Sequence, residues 1–132
     1  MPCILLADHD PTTRSFLAMK LREAGYEVDV ADNGHEAIIR LSTHRHSLVI
    51  SCYAMRGKNG LEFLREIRQS REYDTIPFIL FTEVDPRSRT DNKNYANLMQ
   101  EIEALGAVLL PKTAENFRRF PIAPVAKQTA GN

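Results

Sequence analysis

The chain has 132 residues, enough for one domain with a buried core. Its 17 Lys and Arg balance its 17 Asp and Glu, which removes any global electrostatic case for nucleic acid or an anionic membrane surface. Two cysteines, no signal-like leader and no long apolar run predict a soluble cytoplasmic protein.

Strand and helix patterns alternate along the chain, which predicts a parallel sheet covered on both faces. The first strand runs from Cys3 to Ala7 and ends in Asp8-His9-Asp10. Asp10 caps a helix with Pro11 at its first position. The stripe Phe16, Leu17, Leu21, Ala24 faces the core, and Gly25 ends the helix. Val28 and Val30 alternate in a short strand from Glu27 to Ala31. Asp32-Asn33-Gly34 turns the chain into a second helix with Ala37, Ile38 and Leu41 apolar. Leu48 to Cys52 reads as a buried parallel strand, followed by a loop from Tyr53 to Asn59. Gly60, Leu61, Leu64 and Ile67 begin a third helix.

Beyond a polar connection at Arg71–Thr75, Ile76-Pro77 starts a fourth strand that ends at Thr82. Glu83 to Asn97 carries almost nothing to bury and predicts a long polar loop, mobile over Glu83 to Asn94, with a helix only from about Leu98 to Leu105. A fifth strand, Val108 to Leu110, leads into Lys112. Thr113 to Phe120 forms a short helix with Phe117 and Phe120 inward, stopped by Pro121 and Pro124. The expected organisation is a domain over residues 1–120 and a flexible tail over 121–132.

Cys3 opens its strand and Cys52 closes a parallel neighbour. That places them roughly 15 Å apart at about 3.3 Å per residue, too far for a disulfide. His35, His44 and His46 have no acidic or thiol partner at ligand spacing and read as surface residues. Met19, Met55 and Met99 read as packing, and Tyr53 and Tyr73 as loop or surface residues.

Five segments in this order and spacing, ILLADHDP, GYEVDVADNGHEAI, SLVISCYAMRGKNGLEFLREIR, TIPFILFTE and GAVLLPK, resemble the receiver domain of two-component response regulators. The resemblance covers about Cys3 to Lys112. It implies a flavodoxin-like (CheY-like) five-stranded parallel sheet of order 2-1-3-4-5, with a shortened last helix. It matches Asp8 to the first acidic residue of the family's metal site, His9 to the place of the second, and Asp10 to the acidic residue that often follows. Cys52 stands at the phosphoacceptor aspartate, Thr82 at the switch hydroxyl, Leu109 at the aromatic switch and Lys112 at the invariant lysine. Arg56 replaces a usual proline, Asn59-Gly60 replaces Asp-Gly, and Thr113 follows Lys112 where the family has proline.

These departures have a physical sense. Magnesium takes hard oxygen ligands in octahedral geometry, and phosphoryl transfer needs a cation to neutralise developing charge. Imidazole at His9 and thiol at Cys52 compromise both, and Leu109 has no ring to swing. The resemblance so modified implies a stand-alone pseudo-receiver, a non-enzymatic and phosphorylation-independent interaction module with no cofactor and no resident metal. Its implied partners are proteins (a histidine kinase, a phosphotransferase or a downstream effector), with no nucleic acid and no membrane, and the chain itself a monomer or weak homodimer. The surfaces implied are the first helix and the face built by the fourth helix, fifth strand and fifth helix. Two alternatives use the pocket differently. Asp8, His9 and Cys52 form an oxygen, nitrogen and sulfur set suited to a metal such as zinc, and Cys52 near Lys112 suits a redox sensor. A flavin or nucleotide enzyme is disfavoured, because Asp8, Asp10 and Pro11 stand where a phosphate cradle would be.

Overall fold

In the computed structural model the description covers residues 3–82 and 92–120, with side chains from residue 96 in the second stretch. Five strands alternate with five helices: β1 (Cys3–Ala7), α1 (Pro11–Glu23), β2 (Glu27–Ala31), α2 (Gly34–Thr43), β3 (Leu48–Cys52), α3 (Gly60–Arg68), β4 (Phe78–Thr82), α4 (Asn92–Ala104), β5 (Ala107–Pro111) and α5 (Ala114–Arg118). The strands form one sheet of order β2-β1-β3-β4-β5, every pair parallel. The expected flavodoxin-like topology is therefore present.

The sheet divides the core in two. Leu5, Ala7, Val49, Phe78 and Leu80 point to one face, where α2, α3 and α4 supply Leu41, Phe63, Leu64 and Ile102. Ile4, Leu6, Leu48, Ile50, Ile79 and Phe81 point to the other, against Leu17, Ala18 and Leu21 of α1 and against Phe120. A strand buried on both faces needs apolar residues at every position, and β3 and β4 are buried throughout. Phe63 and Phe78 meet at 5.6 Å between ring centroids. Truncating such a buried ring costs about 3–5 kcal/mol.

The caps are local and strong. Asp10 accepts from the Thr13 amide at the start of α1, with Pro11 next. Asn59 and Glu62 form a reciprocal capping box on α3. Gly25, with φ +96°, ends the first helical segment as expected. Gly60 is required for a different reason: a Cβ there would lie 2.3 Å from the Cys52 carbonyl oxygen. The start of α3 is thereby pressed against the end of β3.

Several expectations fail. Residues 92–97 are helical, part of α4, so the predicted polar loop is at most residues 83–91, which lie outside the described residues together with the predicted tail 121–132. Ala24 is an exposed C-cap and Met19 is 47% exposed, so neither belongs to the core. Tyr53 and Tyr73 lie in loops, as expected, but half-buried against the α2–α3–α4 core, and the Tyr73 hydroxyl donates to the Leu41 carbonyl. His46 is the largest departure. Its side chain is fully buried, and it pairs with Asp29 across elements. His35 and His44 are exposed, as expected.

Candidate functional site

The chain leaves β1 toward β2 on one side and returns to β3 on the other, so the sheet reverses direction between β1 and β3. In open α/β sheets a crevice forms at the carboxyl ends of strands at such a point. The register sets Ala7 beside Ser51, which brings Asp8 and Cys52 together just beyond it. Thr82 ends β4, one residue past the Cys52–Phe81 pair, and lies beside Pro111 of β5.

Asp8 is the centre of this crevice and is 1% exposed. Its Oδ2 accepts from Lys112 Nζ at 3.0 Å, and its Oδ1 accepts the Asp10 amide at 3.0 Å. Both charged side chains of the Asp8–Lys112 pair are almost completely enclosed. Enclosure is tolerable only because each charge has its partner. The Lys112 amide also donates to the Thr82 carbonyl at 2.6 Å, and its ammonium lies 5.7 Å from the Phe81 ring centroid. Arg14, which sequence reasoning did not single out, donates to the Asp8 carbonyl at 2.7 Å.

Cys52 sits beside this pair, 3% exposed. Its thiol donates to the Ala54 carbonyl at 3.1 Å and lies 3.7 Å from His9 Nδ1. Burial, and then the charge of Asp8, push the thiol pKa up from about 9 to about 11. The group is held as a neutral thiol. His9 is half-exposed at the rim, its Nδ1 3.7 Å from Asp8 Oδ1. Asp8, His9 and Cys52 place one ligand atom each within 4.8 Å of one another.

Not every candidate residue enters the crevice. Asp10 turns its Oδ2 to the amide and hydroxyl of Thr13, and these bonds hold its carboxyl below the usual range. Its carboxylate serves the helix start. Leu109 is half-buried against the α2–α3–α4 core. Asp8, His9, Cys52, Thr82 and Lys112 are therefore neighbours at one sheet end, while Asp10 and Leu109 act elsewhere.

Comparison with known proteins agrees with this architecture. The chain is 35% identical over 79 residues to an uncharacterised 14.6 kDa protein of Leptolyngbya boryana. It is 32% identical over 82 residues to the phosphate regulon regulator PhoB of Rhizobium meliloti. The aligned parts are 60% and 62% of this chain and span only 60% and 36% of those proteins. Among solved structures, the response regulator TrrA of Thermotoga maritima, bound to magnesium and beryllofluoride, superposes with TM-score 0.75 at 32% identity, covering 97% of this chain and 99% of that one. The receiver domain of a Syntrophus aciditrophicus histidine kinase gives 0.79 at 27% identity, covering 99% and 92%. The family model of the response regulator receiver domain matches residues 4–107, and the chain belongs to that family, the receiver domains of two-component signalling.

Proposed function

We propose that this chain is a pseudo-receiver: a protein-interaction module of two-component signalling that works without aspartyl phosphorylation. The reading is carried by Cys52, a neutral, buried thiol at the carboxyl end of β3, where the family resemblance puts the phosphoacceptor aspartate. A thiol bonded to a backbone carbonyl is no acceptor for acyl-phosphate chemistry.

The magnesium that the family implies does not fit these residues. One Asp8 oxygen is held by Lys112 and the other by a backbone amide. The remaining neighbours offer imidazole and sulfur where magnesium takes oxygen. The partner surfaces proposed are α1 and the face of α4, β5 and α5, and the partners are a histidine kinase, a phosphotransferase or a downstream effector.

The test is incubation with acetyl phosphate and magnesium, followed by intact-mass spectrometry. The expected result is no adduct. A stoichiometric, hydroxylamine-sensitive phosphate adduct overturns the reading. In the companion variant His9→Asp/Cys52→Asp the adduct is expected to appear, because both carboxylates are returned to the crevice.

A second reading has one observation in its favour: Asp8, His9 and Cys52 converge at ligand distances, as a metal-responsive pocket requires. The ammonium of Lys112 already neutralises Asp8, which weighs against a cation there. The redox version is weaker still, since reactive thiols have lowered pKa values and exposure, and Cys52 has neither.

A further inference from the structure

A second cysteine–aspartate–histidine cluster lies away from the Asp8–Cys52 crevice, toward the end of the sheet where β1 and β3 begin. Cys3 opens β1, Asp29 lies in β2, and His46 precedes β3. The β1–β2 register pairs Cys3 with Glu27 and Leu5 with Asp29. Paired residues share a face and alternate residues return to it, so Cys3 and Asp29 face the same side, the side covered by α2. The chain leaving α2 then delivers His44 and His46 to that side. Cys3, Asp29 and His46 bring one ligand atom each within 4.8 Å of one another. His46 Nε2 lies 2.8 Å from Asp29 Oδ2, and His44 Nδ1 lies 3.6 Å from the same oxygen.

His46 is held in this cluster with little room to turn away from it. Its side chain is completely buried, and its Nδ1 has no hydrogen-bond partner among the described residues. An unsatisfied buried ring nitrogen is uncommon and costly. A groove of about 930 Å3, lined by Cys3, Glu27, His44 and His46 among others, opens the cluster to solvent.

We propose that Cys3, Asp29 and His46 form a binding site for a divalent transition metal of the zinc type, with the fourth position toward the groove left to solvent. Sulfur, imidazole and carboxylate donors select a borderline cation over magnesium or calcium. Tetrahedral zinc with nitrogen and oxygen bonds near 2.0–2.1 Å sets those ligands about 3.3 Å apart, so the His46–Asp29 contact opens by about half an ångström. On binding, the Cys3 thiol gives its proton to solvent and its sulfur bonds the metal; His46 bonds it through the Nε2 lone pair, with the ring proton on Nδ1, so the contact with Asp29 Oδ2 changes from a hydrogen bond to shared coordination. The local field suits a cation. Asp29 and Glu27 both act, after burial, to raise the Cys3 pKa, and the same charges attract a divalent ion. Among the described residues no lysine or arginine side chain is paired with Asp29.

The experiment uses the full chain with zinc chloride in competition with a chromophoric chelator, and with cobalt(II) as a spectroscopic stand-in. The expected result is one ion per chain, a thiolate-to-cobalt charge-transfer band, and affinity falling by at least about tenfold in Cys3→Ser and in His46→Gln. Cys52→Ser and His9→Ala should leave affinity and band intact, which separates this site from the crevice at the other end. Circular dichroism checks folding of each variant. A measurement on the unaltered chain guards against a His46→Gln protein that does not fold: zinc should protect Cys3 from alkylation, located by peptide mass. Binding no tighter than about 1 mM, a band that survives Cys3→Ser, or a Cys3 alkylated equally with and without zinc overturns the proposal.

Discussion

The two ends of the sheet carry the same three residue types and treat them in opposite ways. At the carboxyl end, Asp8 is enclosed with Lys112, and Cys52 keeps its proton against a backbone carbonyl. At the other cluster, Asp29 is a quarter exposed and meets two imidazoles, one of them with an unsatisfied nitrogen. The first cluster is closed electrostatically by a cation of its own chain; in the second, among the described residues, no lysine or arginine is paired with the carboxylate. Residue types alone do not make a site: what matters is whether the fold has already satisfied them.

The strongest way to break this comparison is to remove the internal cation. Lys112→Met leaves the Asp8 carboxylate buried and unpaired, and such a loss costs about 3–5 kcal/mol. Urea unfolding should show a drop of that size, and Asp8→Asn in the same chain should restore part of it. A drop below about 1 kcal/mol would mean that Asp8 reaches water and that the crevice is open.

Gly60→Ala comes next. The added methyl meets the Cys52 carbonyl oxygen at 2.3 Å and Leu80 Cδ1 at 2.7 Å, so β3 and α3 must part. A loss of about 1–3 kcal/mol is expected in the same unfolding measurement. If alanine is tolerated without loss, the tight closure around Cys52 is not what shapes the crevice.

Cys52 itself supplies a smaller, pH-dependent effect. Its folded pKa is raised, from about 9 to about 11, so the fold favours the protonated thiol. The contribution is fully present below pH 9 and is lost as pH rises through 11. Its size is about 1–2 kcal/mol after allowance for screening. Cys52→Ala should therefore show a flatter decline in stability than the unaltered chain across that window. Parallel declines would show a thiol already ionising in contact with solvent.

How much of this was legible in the sequence follows from the range of each signal. The local signals for β1, β2 and β3 carry their observed bounds, because the apolar runs end at Asp-His-Asp after β1, at Asp-Asn-Gly after β2 and at the loop from Tyr53 after β3. The Asp8–Lys112 crevice followed from the strand ends once the topology was assigned. The first turns of α4 were missed. In the sequence the apolar positions Leu98 and Ile102 fall in the second half of that helix, and extending an existing helix costs far less than starting one, so the mostly polar stretch 92–97 extends it without a helical stripe that a reading of the sequence could find. His46 was misjudged for a different reason. Its partner Asp29 is 17 residues away on another strand, and no ligand spacing along one element could reveal it. Leu109 was placed by family position, a signal that does not report what the side chain packs against.

The smallest predicted effect tests the open end directly. Asp29→Asn keeps an oxygen that accepts from His46 Nε2 while removing the negative charge. Asp29 is half-buried and its partners are imidazoles, one of them well exposed. The exposed His44 contact contributes little, because water competes for both members; His46 is enclosed, but the amide oxygen keeps its hydrogen bond. Stability should change by less than about 1 kcal/mol in either direction. The contrast with Lys112→Met is then severalfold, although each substitution removes one charge from a carboxylate-centred cluster. A loss for Asp29→Asn as large as that for Lys112→Met would show that the Asp29–His46 contact is itself a buried folding pair. The donor atoms at that end would then be committed to the fold, and the distinction between the two clusters would be lost.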